Sequence, residues 1–100
     1  MIEVRESEIF KAWMRSLKDR MARSVINARI RRLSLGNKGD SKNLGEGISE
    51  LRIDFGPGYR VYYTHLDKTL VILLCGGDKS TQSADVRAAK DIASSLEVTK

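Results

Sequence analysis

The sequence predicts an α+β fold, a curved and mostly antiparallel sheet carrying an N-terminal helical hairpin and a C-terminal helix. Three observations predict it. Apolar residues recur at helical spacing from residue 7 to 35, alternate at a period of two from residue 42 to 75, and return to helical spacing after Ser80. An order of strand, two helices, several strands and a last helix leaves the helices to cover one sheet.

Met1–Arg5 is a short strand candidate, with Ile2 and Val4 alternating against Glu3 and Arg5. Ser7 is a natural N-cap, and Ile9, Phe10, Trp13, Met14 and Leu17 follow on one helical face. Asp19 caps a second helix to Leu35, which Gly36 and Asn37 stop. Ala22, Val25, Ile26, Ile30 and Leu33 gather on one side of that helix, and Arg20, Arg23 and Arg31 on the other. Arg29 falls inside the apolar arc. A buried arginine needs a partner, so a salt bridge to an acid is expected, with a substrate role as the alternative.

Lys42–Leu44 end a short strand before Gly45–Gly47. In Glu50–Phe55, Leu51, Ile53 and Phe55 point one way while Glu50, Arg52 and Asp54 point the other. Gly56-Pro57-Gly58 is a reverse turn. Tyr59, Val61 and Tyr63 then share a face, with Arg60, Tyr62 and Thr64 opposite. Leu66–Thr69 make a second turn, and Leu70–Cys75, apolar throughout, reads as a central strand covered on both sides. Gly76-Gly77-Asp78 end it, and Ser80 or Thr81 starts a helix through Val86, Ala89, Ile92, Ala93 and Leu96.

One hundred residues suit a single domain spanning 1–100. No apolar run approaches a bilayer's thickness, and MIEVRESEIF does not read as a signal peptide, so a cytoplasmic protein without a membrane partner is expected. One cysteine, Cys75, makes neither an internal disulfide nor a cysteine-based zinc cluster, and reads as a buried strand residue. The net charge of +5 lies wholly in residues 1–35, which hold nine Lys/Arg against four acids; the other 65 residues balance nine against nine. Such a patch suits a polyanion or an acidic protein partner, or serves only as a solvated helix face.

With His65 as the only histidine, and that beside a turn, neither a His-based metal site nor a Ser-His-Asp triad is supported. No phosphate-cradling glycine loop is present. No metal or cofactor is expected. The positive constellation lies in the hairpin. A turn centred on Pro57 sets Asp54 opposite Arg60 and Arg52 opposite Tyr62, leaving the two arginines on a diagonal roughly 7–8 Å apart. Lys79, just past the next strand, shares that rim. A cationic pocket beside aromatic rings fits a phosphodiester and a splayed base. The alternative is a structural ladder in which Glu50 and Asp54 neutralise the arginines.

The segments ELRI at 50–53, GPGYRVYY at 56–63 and LLCGGDKSTQ at 73–82, with RIRRLSLGNKGD at 29–40 upstream, resemble the probable addiction-module killer proteins. These form a phage-associated, HigB-like branch of the RelE/ParE toxin superfamily. The resemblance covers nearly the whole chain and implies the fold described above. It further implies the toxin of a toxin–antitoxin pair, a metal-independent endoribonuclease that cleaves mRNA on the ribosome. A helix-turn-helix antitoxin is the implied partner. On that resemblance Arg60 binds the scissile phosphate, Lys79 is the second cationic active-site residue, and Arg52 matches the basic residues of the neighbouring strand. Tyr62 and Gln82 join as substrate-binding candidates, with Arg20, Arg23 and Arg31 as the basic docking face. Relatives carry a tyrosine or histidine near the C-terminus for proton transfer or stacking. Neither follows Lys79 here, so the general base is unassigned. The alternatives are a ParE-like gyrase inhibitor and an inactive antitoxin-binding protein.

Overall fold

The structure, a computed structural model, describes residues 1–98. The elements run β1 (Glu3–Glu6), α1 (Glu8–Ser16), α2 (Arg20–Ser34), β2 (Ser41–Gly45), β3 (Ile48–Ile53), β4 (Tyr59–Asp67), β5 (Leu70–Asp78) and α3 (Gln82–Val98), with a 3₁₀ turn at Lys79–Thr81 before α3. The five strands form one sheet in the order β1-β5-β4-β3-β2, antiparallel except where β1 runs parallel to β5. This is the α+β, RelE-like arrangement the sequence predicts.

Both N-caps are as expected. The Ser7 hydroxyl accepts from the Phe10 N–H at 2.9 Å, and the Asp19 carboxylate accepts from the N–H groups of Met21 and Ala22. β1 starts two residues later than its alternation suggests. The Ile2 N–H is spent on the Ser34 carbonyl at 2.8 Å, so pairing with β5 opens at Glu3. No described helix is long and apolar enough to cross a membrane.

The sheet has two covered faces. Phe10, Ile26 and Leu33 from α1 and α2 pack with Leu51, Ile53, Val61, Tyr63, Val71 and Leu73. On the other face Ala89 of α3 packs with Ile48, Tyr62, Ile72, Leu74 and Cys75. Cys75 is buried, as expected. Burying such side chains stabilises by roughly 1.5–3 kcal/mol each.

β5 does not stop at the glycines. Tyr62 pairs with Cys75 and Tyr63 with Leu73, so Leu74 is an extra residue, a β-bulge that swaps the faces beyond it. Gly76 then lies under Trp13, where a Cβ would come within 2.3 Å of the indole, and Gly77 lies under α3. Each glycine continues the strand because a ring or a helix occupies the space of a side chain. The strand therefore reaches Asp78 and carries Lys79 to the end of the hairpin.

Candidate anion-binding site

The loop between β3 and β4 sets the site. Ile53 pairs with Tyr59 and Arg52 with Arg60, so the turn is centred on Gly56, not Pro57. Left-handed backbone at Gly56 (φ 55°) and Gly58 (φ 82°) winds it tightly, with the Phe55 N–H on the Ile53 carbonyl and the Gly58 N–H on the Phe55 carbonyl. The expected register is therefore corrected. The two arginines stand directly opposite, and Tyr62 faces Glu50.

Two like charges side by side on neighbouring strands repel, so each needs an offsetting partner. Arg52 has Asp40, whose Oδ1 accepts from Nη2 at 2.8 Å and from Nε at 3.1 Å. Arg60 lies 3.9 Å through Nε from the Glu50 carboxylate, and its Nη1 donates to the carbonyls of Tyr59 and Gly58 at 3.1 and 3.3 Å. The structural ladder weighed from the sequence is thus present in part. Glu50 takes its expected place, but Asp40 stands where Asp54 was expected.

Asp40, Arg52, Asp54, Gly58, Arg60 and Lys79 line an open pocket of about 410 Å³. Lys79 reaches it because the 3₁₀ turn is pinned. The Asp78 carboxylate accepts from the Ser80 hydroxyl at 2.5 Å and from the Ser80 N–H at 2.8 Å, and these bonds hold it below the usual carboxylate range. The Lys79 stem then crosses Gly58. Three cations and two carboxylates converge, and Asp54 alone of the two carboxylates has no ion-pair partner among the described residues. The arrangement sets three cations around one open space, with the exposed Asp54 carboxylate at its rim.

Beneath it lies a buried polar layer. Glu50 is 1% exposed and accepts at Oε2 from the Gln82 side-chain amide at 2.7 Å. Among the described residues the Tyr62 hydroxyl has no hydrogen bond of ordinary geometry, and burial together with the Glu50 charge pushes its pKa well above the usual phenol range.

The sequence-derived candidates therefore divide. Arg52, Arg60 and Lys79 come together at one pocket. Tyr62 is 0% exposed under α3, so it offers no ring to a base, and Gln82 turns inward to Glu50. Both leave the substrate-binding set. Arg20 and Arg31 are exposed on α2, on the opposite side of the sheet from the pocket's arginines. Arg23 is half-buried, its guanidinium donating to the Leu17 carbonyl. Arg29 has no acid partner among the described residues; it binds the carbonyls of Arg52 (2.6 Å), Asp40 (3.2 Å) and Lys38 (3.4 Å). Three carbonyl dipoles replace the expected salt bridge, and they fix the loop that carries Asp40. No local pattern links Asp40, in a loop, to Arg52, which lies twelve residues away on β3. Among the described residues no three His, Cys, Asp or Glu side chains group as a metal site requires.

The α+β fold is compatible with that of RelE-like proteins, and the family model that the chain matches is that of a toxin-like, phage-derived family. Residues 10–96 match the family described as phage-derived protein Gp49-like (DUF891), and the chain belongs to that family. It is 52% identical over 95 residues to an uncharacterized protein of Haemophilus influenzae, covering 95% of this chain and 96% of the relative. No solved structure matches it. Every pocket residue falls within the matched region.

Proposed function

We propose that this protein is the toxin of a toxin–antitoxin pair and cleaves mRNA at the pocket between β3, β4 and Lys79, without a metal. The observation that carries the reading is the direct opposition of Arg52 and Arg60 beside Lys79 in one open pocket. A phosphodiester seated there meets three cations.

In the reaction the ribose 2′-oxygen loses its proton to Asp54 and attacks the adjacent phosphorus. The P–O5′ bond breaks, leaving a 2′,3′-cyclic phosphate, and the departing 5′-oxygen takes a proton at the Lys79 side. Arg60 and Arg52 meet the charge that builds on the phosphoryl oxygens. Such preorganised donors are worth most where charge develops in the transition state. The antitoxin, a helix-turn-helix protein, and the ribosome are the partners of this reading, and the basic face of α2 steers their approach.

The test is to map RNA ends within minutes of inducing the protein in cells. Internal mRNA cuts ending in cyclic phosphate are expected. Double-strand DNA breaks with intact mRNA would replace the reading with gyrase inhibition. The acid partners of both arginines favour a second reading, an inactive antitoxin-binding protein, which intact RNA and DNA would support.

A further inference from the structure

Glu50 needs an explanation of its own. A carboxylate 1% exposed, in the middle of a sheet, is costly to bury without full pairing. Among the described residues Oε2 has the Gln82 amide, Oε1 has the distant Arg60 Nε, and the neighbouring Tyr62 hydroxyl makes no ordinary hydrogen bond. A leucine here would pack at lower cost. What the carboxylate does is stand 3.9 Å from the Arg60 Nε, a buried donor with no hydrogen-bond partner among the described residues.

Resting on the reading of the pocket as a phosphate site, we infer that Glu50 is a positioning residue for Arg60. Together with the loop carbonyls of Gly58 and Tyr59, it holds the guanidinium from behind so that its remaining N–H groups face the pocket. Gln82, at the first turn of α3, orients Glu50 in turn. Two effects compete. The Glu50 charge lowers the positive potential of the pocket, which weakens anion binding. It also fixes the direction of the arginine, which strengthens it. Arg60 is 8% and Glu50 1% exposed, so their attraction is little screened by water, and the proposed role requires that the fixed direction outweigh the lost potential.

The two effects have opposite signs, so one titration separates them. The probe is inorganic phosphate, followed on the Arg60 Nε–H signal in ¹H–¹⁵N spectra and assigned with Arg60→Lys. Glu50→Gln keeps the shape and an oxygen for Gln82. It is expected to move the Arg60 signal and to weaken phosphate binding about tenfold, as misdirected binding groups do. Gln82→Met, at a half-exposed position, is expected to do the same to a smaller degree. Unchanged or tighter phosphate binding in Glu50→Gln would overturn the inference and leave Glu50 a mere counter-charge. If phosphate leaves the wild-type Arg60 signal unmoved, the anion-pocket reading fails. The positioning role then stands or falls on whether Glu50→Gln moves that signal and speeds its exchange with water.

Discussion

Lys79 lies across the Cα of Gly58: a methyl group at that glycine would stand 2.9 Å from Lys79 Cε and 3.0 Å from its Cδ and Cγ. The bare backbone of the hairpin loop is therefore the surface that aims the lysine. Lys79→Ala is expected to slow cleavage by ~10²–10³, while its exposure keeps the stability change within about 0.5 kcal/mol. Gly58→Ala, strained at φ 82° and pressed on the lysine stem, is expected to lower both. Cleavage rates and thermal melts of the purified variants check this. Full activity in Lys79→Ala would take the lysine out of the chemistry.

Arg60 is harder to remove cleanly, because it is buried over Glu50. Truncating it to alanine strands a buried carboxylate and is expected to cost roughly 2–4 kcal/mol of stability in addition to abolishing cleavage. Arg52→Ala, at a half-exposed position, is expected to lose rate with a much smaller drop in melting temperature. Denaturant titration of each variant beside its cleavage rate distinguishes the two. An Arg60→Ala protein as stable as wild type would mean that Glu50 is not dependent on it.

The Asp78 cap gives an acid dependence. Its carboxyl is held below the ordinary value of about 3.9 by the Ser80 hydrogen bonds. A lowered folded-state pKa adds stability that is present above the unfolded value and lost as pH falls through the folded one. Asp78→Ala is expected to melt lower than wild type at pH 7. Below about pH 4 the gap should close, as the wild-type carboxyl takes up its proton. A gap that stayed constant down to pH 2 would show that the charge of Asp78 contributes nothing.

At the alkaline end, two buried groups prefer their neutral forms. Burial, aided by the Asp85 charge, pushes the Cys75 thiol up to about 12, and Tyr62 is raised further. Their stabilisation is complete below the unfolded values, about 8.5 and 10, and is lost as pH rises toward the folded ones. Unfolding free energy, and melting temperature with it, should fall from about pH 8.5, the free energy by at most ~1.4 kcal/mol per pH unit for each group. Cys75→Ala should fall less steeply between pH 8.5 and 10. Equal slopes would remove the thiol from the account.

The basic face of α2 is tested by charge reversal. Arg20→Glu with Arg31→Glu, both exposed, should slow association with an acidic antitoxin or ribosomal RNA most at low salt. Arg23 is left out, since its head holds the Leu17 carbonyl between the helices. Association rates that ignore both the reversal and the salt would free α2 from any docking role.

The sequence by itself determined the elements and their faces. Ser7 and Asp19 begin their helices, and alternation in β3 and β4 puts Arg52, Arg60 and Tyr62 on one side of the sheet. These follow from steric preferences of the backbone and from side-chain periodicity, which act within a few residues. The tertiary structure decided what those faces meet. Two left-handed glycines, rather than the proline, centred the turn and set Arg52 opposite Arg60. The Leu74 bulge re-aimed the end of β5, and the packing of α3 closed Tyr62 off from solvent. Arg29 found backbone carbonyls in a loop nine and eleven residues on and so delivered Asp40 to Arg52. Register and burial come from packing between distant segments. A one-residue shift in where a loop is centred costs little locally yet changes every cross-strand neighbour, so short-range signals leave it open.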